Sequence, residues 1–260
     1  VLDHVVKVMD YLCRNVDGET GCLHMLYGDW NDALDALGKT EDETKEFGTG
    51  VSVMASLQLY QNCSEICEIL AHTGKYTEKI EQYKAVANGL TKGLHKYAVD
   101  TNDEGVRRII HGWGDKMSYK IGSWLDPDGV TRTSSTANSF WAISGMLKND
   151  PSLKETIMSA YKALDSKYGI MTFDKAFSKD MRKYVGRISQ ITAGTYENAG
   201  TYVHATMFAV MALFSMGESR EAWRQFELGT VLSHPDCNKS PFAMPNSYFK
   251  SDEWCIDGQS

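Results

Sequence analysis

The stretch "YGDWNDALD" (residues 27–35) crowds Asp29, Asn31, Asp32 and Asp35 around one tryptophan, Trp30. Short acidic and amide side chains in a cluster have three common uses. They cap helices by accepting free backbone N–H groups, and Asp29 or Asp35 suits that role. They ligate calcium, but a calcium loop needs an oxygen ligand and then glycine where this run has Ala33 and Leu34. They also hold sugars: an indole ring lies against the apolar face of a pyranose while carboxylates and amides take its hydroxyls. A carboxylate left over, its pKa raised by partial burial, then serves as an acid. Capping leaves Trp30 unexplained, and a sugar site does not. A second acidic run, from Asp100 to Gly105, puts His111 where a calcium loop needs its bidentate glutamate, so no metal is expected.

A second cluster is "YENAGTYVH" (196–204). It combines the carboxylate of Glu197, the amide of Asn198, two small residues and His204 at the start of an apolar helical run. Backbone N–H groups at a helix N-terminus attract anions, and His204 would add a donor. The alternative is a satisfied core histidine beside a buried helix. An acid on one loop and an anion site on another suit a group transfer in which the anion takes part.

The elements that position these clusters show in the hydropathy pattern. Residues 48–60 are small and apolar on nearly every face and continue to Leu70; a charged helix follows at 76–97. The pair recurs as 136–147 with 151–169, and again as 201–217 with 218–233. Pro151 marks one start and Gly169 one stop. A helix apolar all round must be buried all round, and one with a polar face lies at the surface. Three such pairs imply inner helices wrapped by outer ones, the layout of an α/α toroid. A stack of helical repeats would need a fixed period, and these pairs are unevenly spaced. Residues 106–133 read as a short β-hairpin excursion with an Asp126-Pro127-Asp128-Gly129 turn. In a toroid the loops entering the inner helices converge at one end. "YGDWNDALD", "TSSTANS" (133–139) and "TAGTYENAGTYVH" (192–204) occupy such loops.

Composition narrows the function. The 260 residues carry a net charge of -7, with 42% hydrophobic and 23% charged residues. That is a globular composition, and it disfavours nucleic-acid or anionic-membrane surfaces, which need clustered Lys and Arg. No apolar run approaches the roughly 18 residues of a membrane span. Six cysteines show no zinc-like spacing and fit a reducing, cytoplasmic compartment; Cys63 and Cys67, four apart, read as packing residues on one helix face. Two glycosylation sequons, at Asn62 and Asn238, have no signal peptide to give them meaning. The chain starts at Val1 without an initiator methionine, so a piece of something longer is expected.

"GDWNDALDALG", "NSFWAISGM" and "ENAGTYVHA" together, in this order, resemble the motifs of the inverting β-glycoside phosphorylases. These are the cellobiose and chitobiose phosphorylase group of glycoside hydrolase family 94 and related β-1,3-glucan phosphorylases. The resemblance implies a mainly α fold, an (α/α)6 barrel, with residues 1–260 forming part of it. An upstream β-sandwich and the end of the barrel would lie outside the chain, which is expected to be inactive alone. It implies phosphorolysis of a β-glucoside to α-glucose 1-phosphate, and the reverse synthesis, with phosphate as co-substrate and no cofactor. Residue by residue, Asp32 falls on the general acid, Trp30 and Glu197 on sugar-binding positions and His204 on a phosphate ligand. A phosphorylase needs only one such acid, because phosphate is already an anionic nucleophile; an inverting hydrolase needs a second carboxylate to activate water. Members are often homodimers, although no residue pattern here specifies one.

The sequence also departs from the pattern. Ala33-Leu34-Asp35 stands where many members have Gly or Cys, Met or Leu, then Asn. Tyr196 replaces a lysine, and Ala199 a glycine. These changes favour a divergent branch, with β-1,3-glucans the preferred substrate. Two other functions compete: an inverting hydrolase using Glu197, and a non-catalytic carbohydrate-binding toroid. The segment 240–249 is either a loop over the site or a plain surface crossing.

Overall fold

The structure is a computed structural model and describes residues 1–124, 126–237, 242–251 and 257–258. Among the described residues eight α-helices dominate: α1 (Leu2–Arg14), α2 (Val53–Thr73), α3 (Ile80–Tyr97), α4 (Ser135–Ile143), α5 (Leu153–Leu164), α6 (Arg182–Val185), α7 (Val203–Ser215) and α8 (Ser219–Gly229). Local chemistry sets their ends. Ser52 Oγ accepts from Ala55 N at 3.1 Å to start α2, and Gly74, with φ 65°, closes it by donating its N–H to Leu70 O.

The alternation read from the sequence is realised as two layers. α2 packs on α3, α4 on α5, and α7 on α8, while α4 also touches both α2 and α7. The inner row is therefore α2–α4–α7, and every residue of α4 from Ser135 to Ala142 is buried. Helices α3, α5 and α8 lie outside, with only Tyr83, Leu90, Gly93 and Leu94 of α3 buried. Among the described residues this row does not close: three packed helix pairs are seen, and the expected (α/α)6 barrel is not.

Three expectations are corrected. α7 is not buried all round: Met211 is 56% and Phe214 48% exposed, because α4 and α8 cover two of its sides and no described helix covers the third. The run 151–169 is not one helix. α5 ends at Leu164, and β6 (Asp165–Ser166) then pairs with β7 (Gly169–Ile170). The excursion near 106–133 is not a single hairpin. β2 (Val99–Thr101) pairs with β3 (Arg107–Ile109), and β1 (Val51–Ser52), β4 (Gly112–Trp113) and β5 (Lys120–Ile121) form a separate sheet in the order β1-β4-β5. The Asp-Pro-Asp-Gly turn forms, with Gly129 N donating to Asp126 O at 2.8 Å, but no described strand flanks it. Arg132 organises that segment instead: its buried guanidinium donates to Asp128, Val130 O and Ala176 O.

Cys63 is buried and Cys67 half-buried in α2, as packing residues. The Asn238 sequon lies outside the described residues. A large apolar cluster fills the space between the helix layers. A smaller one, including Met25, Ala33, Leu34, Phe173, Ile188 and Ala199, lies against the loops that carry the motifs.

Candidate functional site

The loop bearing "YGDWNDALD" leaves the core and returns beside itself: Met25 N donates to Gly50 O at 2.7 Å, and Ser52 N to Leu23 O at 3.3 Å. Inside it, Asp29 Oδ1 accepts from Asn31 N at 2.8 Å and Oδ2 from Ser52 Oγ at 2.5 Å. Ser52 is the cap of α2, so Asp29 braces a helix start through a second residue. Both its oxygens thereby have protein donors, but the helix cap itself is Ser52 and not Asp29. Ala33, Leu34 and Leu37 bury themselves in the smaller cluster. That burial turns Asp32 outward, where its side chain is 76% exposed.

Trp30 reaches the other motif. Its ring sits edge-on to Tyr202 and Phe208, with centroids 5.0 and 6.0 Å away. Its Nε1 donates to His204 Nδ1 at 2.9 Å. An indole N–H can only donate, so Nδ1 accepts, which leaves Nε2 as the nitrogen that can donate. His204 is exposed in the first turn of α7, whose N-terminus has no side-chain cap. Val203 N is taken by a backbone carbonyl, but the following first-turn amides have no side-chain cap among the described residues, and with an Nε2–H donor they make a physically sound anion seat.

Asn246 O accepts from Val203 N at 3.0 Å, and Asn246 Nδ2 donates to the Tyr202 hydroxyl at 2.7 Å. β8 (Thr201–Tyr202) pairs with β9 (Ser247–Tyr248). The segment 242–249 therefore lies against the start of α7. Met244, Pro245 and Asn246 line a depression of about 610 Å³ together with His204, Met207 and Phe226.

Glu197 lies in a contorted turn. Tyr196 and Ala199 adopt left-handed φ of 44° and 68°, and a Cβ on Gly200 would lie 2.7 Å from Tyr196 N and O. Asn198 holds this turn: buried, it donates to Phe177 O and Ile191 O and accepts from Phe177 N. Its role is structural. Glu197 is half-buried, and its carboxylate has no hydrogen-bond partner among the described residues. Trp30 and His204 are thus in contact. Asp32 and Glu197 are not bonded to each other; their loops meet in the smaller cluster through Ala33 and Ala199. Asp32 opens on a separate depression of about 500 Å³ that Tyr27, Phe47, Asp35 and Arg187 also line.

Sequence reading missed Arg187. Its Nη2 donates to Asp32 O at 2.8 Å, its Nε to Asp35 Oδ2 at 3.1 Å and its backbone N to Asp35 Oδ1 at 2.9 Å. Nothing in the local pattern around residue 187 marks it, because its partners lie some 150 residues away. The "TSSTANS" run is mostly interior: Ser139 Oγ meets Tyr161 OH at 2.9 Å, Asn138 donates to Ser134 O, and Ser135 N donates to Thr172 O, whose hydroxyl donates to Glu197 O.

Among the described residues no group of three His, Cys, Asp or Glu side chains is arranged to hold a metal, and no helix is long and apolar enough to cross a membrane. Comparison with known proteins decides the family. The catalytic-domain profile of the Glycosyl hydrolase 94 superfamily matches residues 1–251. The chain belongs to that superfamily. It is 28% identical, over 96% of its length, to 3-O-beta-D-glucopyranosyl-beta-D-glucuronide phosphorylase of Paenibacillus borealis, of which it covers 30%. It is 23% identical over 95% of its length to cellobionic acid phosphorylase of Neurospora crassa, and 24% identical over 95% to N,N'-diacetylchitobiose phosphorylase of Vibrio furnissii, covering 30% and 28% of them. The chain therefore spans about a third or less of these curated relatives.

Proposed function

We propose that this chain contributes to the catalytic centre of an inverting β-glucoside phosphorylase. The enzyme transfers a glucosyl unit from a β-gluco-oligosaccharide to phosphate, releasing α-glucose 1-phosphate, and runs in reverse as a synthase. Asp32 is the general acid that protonates the leaving oxygen, Trp30 and Glu197 bind the sugar, and phosphate sits at His204 Nε2. The observation supporting this most is the Trp30–His204 hydrogen bond. It joins a sugar-type motif to an anion-type motif across 174 residues. Likeness to a phosphorylase named for a 3-O-glucosyl glucuronide supports a 1,3-linked glucoside as substrate.

Inversion requires acid and nucleophile on opposite faces of the sugar. A hydrolase reading rests on Glu197, whose carboxylate has no hydrogen-bond partner among the described residues. That second carboxylate would have to sit roughly 6.5–9.5 Å from the acid. Incubating the full-length protein with β-1,3- and β-1,4-linked glucosides, with and without inorganic phosphate, separates the readings. Phosphorolysis requires phosphate and favours the 1,3-linked substrates; phosphate-independent release of glucose supports the hydrolase.

A further inference from the structure

We infer that Arg187 is a positioning residue for Asp32, locked in place by Asp35 and Gly186. The inference rests on the assignment of Asp32 as general acid. Asp32 is well exposed on its loop, and an acid must hold its angle to the leaving oxygen to transfer a proton. Arg187 supplies the restraint. Its Nη2 binds the Asp32 carbonyl oxygen at 2.8 Å and lies 3.7 Å from Asp32 Oδ2, so one guanidinium touches both ends of the residue.

An exposed ion pair alone would be a weak clamp, worth about 0–1 kcal/mol. Here the guanidinium is not held by charge alone. Asp35, whose side chain is mostly buried, accepts from both Arg187 N and Nε. The adjoining Ile188 is buried, and its N–H donates to Ala33 O at 2.8 Å. Residues 187–188 and 32–35 are thus laced by four hydrogen bonds, one each to Asp32 O and Ala33 O and two to Asp35.

Gly186 makes the close approach feasible. A Cβ there would fall 1.8 Å from Asp35 Oδ1 and 2.8 Å from Ala36 N, at a left-handed φ of 82°. Only glycine leaves room for the Asp35 carboxylate at that point. Asp35 is also one of the positions where this sequence departs from the resemblance, with a carboxylate in place of the usual amide. The carboxylate accepts the Arg187 Nε on one oxygen and the Arg187 backbone N on the other, and an amide has only one oxygen to accept with.

The test is steady-state phosphorolysis by the full-length protein and its Arg187→Ala, Arg187→Lys and Asp35→Asn variants. A misplacement of about 1 Å costs on the order of 10²-fold. Arg187→Ala is expected to lower kcat roughly 10- to 100-fold while KM for sugar and phosphate changes less than about threefold. Asp35→Asn loses less, and Arg187→Lys restores part of the rate through its charge. Added guanidinium ion at millimolar concentration rescues Arg187→Ala. If Arg187→Ala does not fold, Arg187→Lys carries the test, with kcat reduced and KM unchanged. A rise in KM with kcat unchanged overturns the inference, since Arg187 would then touch substrate. Unchanged kinetics overturn it as well. Wild-type protein lacking phosphate-dependent turnover overturns the underlying function, and the inference falls with it.

Discussion

The bond from Trp30 Nε1 fixes which nitrogen of His204 carries a proton, and that single constraint is worth testing apart from the ring packing. Trp30→Phe keeps an aromatic body against Tyr202 and Phe208 and removes the donor. A lost hydrogen bond is typically worth about 1 kcal/mol. KM for phosphate should therefore rise about fivefold with little change in kcat, measured by initial rates at varied phosphate. Ala199 invites the opposite kind of change. It holds φ 68°, a conformation costing a side-chain-bearing residue about 1–2 kcal/mol, at a position where the resemblance has glycine. Ala199→Gly should raise stability by up to about 1 kcal/mol, part of the relief being offset by the extra entropy of glycine in the unfolded chain; a lower denaturation midpoint would contradict this. Residue types were the most legible layer: Asp32, Trp30, Glu197 and His204 stand out because polar, aromatic and small residues alternate without helical or strand period. Arg187 was illegible, since a lone surface arginine in sequence resembles any other until the fold sets it beside Asp32.

At the scale of elements, His111 lies between the α2 entry and α4. It is 1% exposed, its ring packs on Phe173, and its Nδ1 lies 3.5 Å from Thr136 Oγ1. Burial holds its imidazole below the ordinary value, against the pull of the Asp29 charge. The unfolded chain takes up a proton near the ordinary pKa of about 6.5, and the folded chain resists. The contribution of His111 is thus complete above about pH 6.5 and is lost as pH falls below it. Thermal midpoints measured from pH 7 to pH 5 should fall, and less steeply in His111→Met; equal slopes would show that another group is responsible. The buried-then-surface alternation made the helix pairs legible, because apolar periodicity reports burial directly. The strands were less so. Two- and three-residue ladders carry almost no period, and the segment after Asp126 is organised by the buried Arg132 guanidinium, which sequence alone reads as a surface charge.

Among the described residues the helix pairs form an open row. Met211 and Phe214 of α7 are exposed, as are Trp223 and Phe226 of α8, whose rings meet at 5.6 Å. Contiguous apolar surface of this kind marks an interface. The 260-residue chain studied alone should bind a hydrophobic dye, and replacing Met211 and Phe214 with lysine should reduce that binding without lowering the thermal midpoint by more than about 2 °C. Layering was legible at this scale, and closure was not: among the described residues no helix completes the ring. The central claim remains the transfer of a glucosyl unit to phosphate with Asp32 as the acid. Its most direct test is a proton NMR time course of the full-length protein with a short β-glucan and inorganic phosphate, run beside Asp32→Asn. The account predicts α-glucose 1-phosphate as the first product, none without phosphate, and a rate about 10²- to 10⁴-fold lower in Asp32→Asn. Free glucose appearing without phosphate, or near-normal turnover by Asp32→Asn, would contradict it.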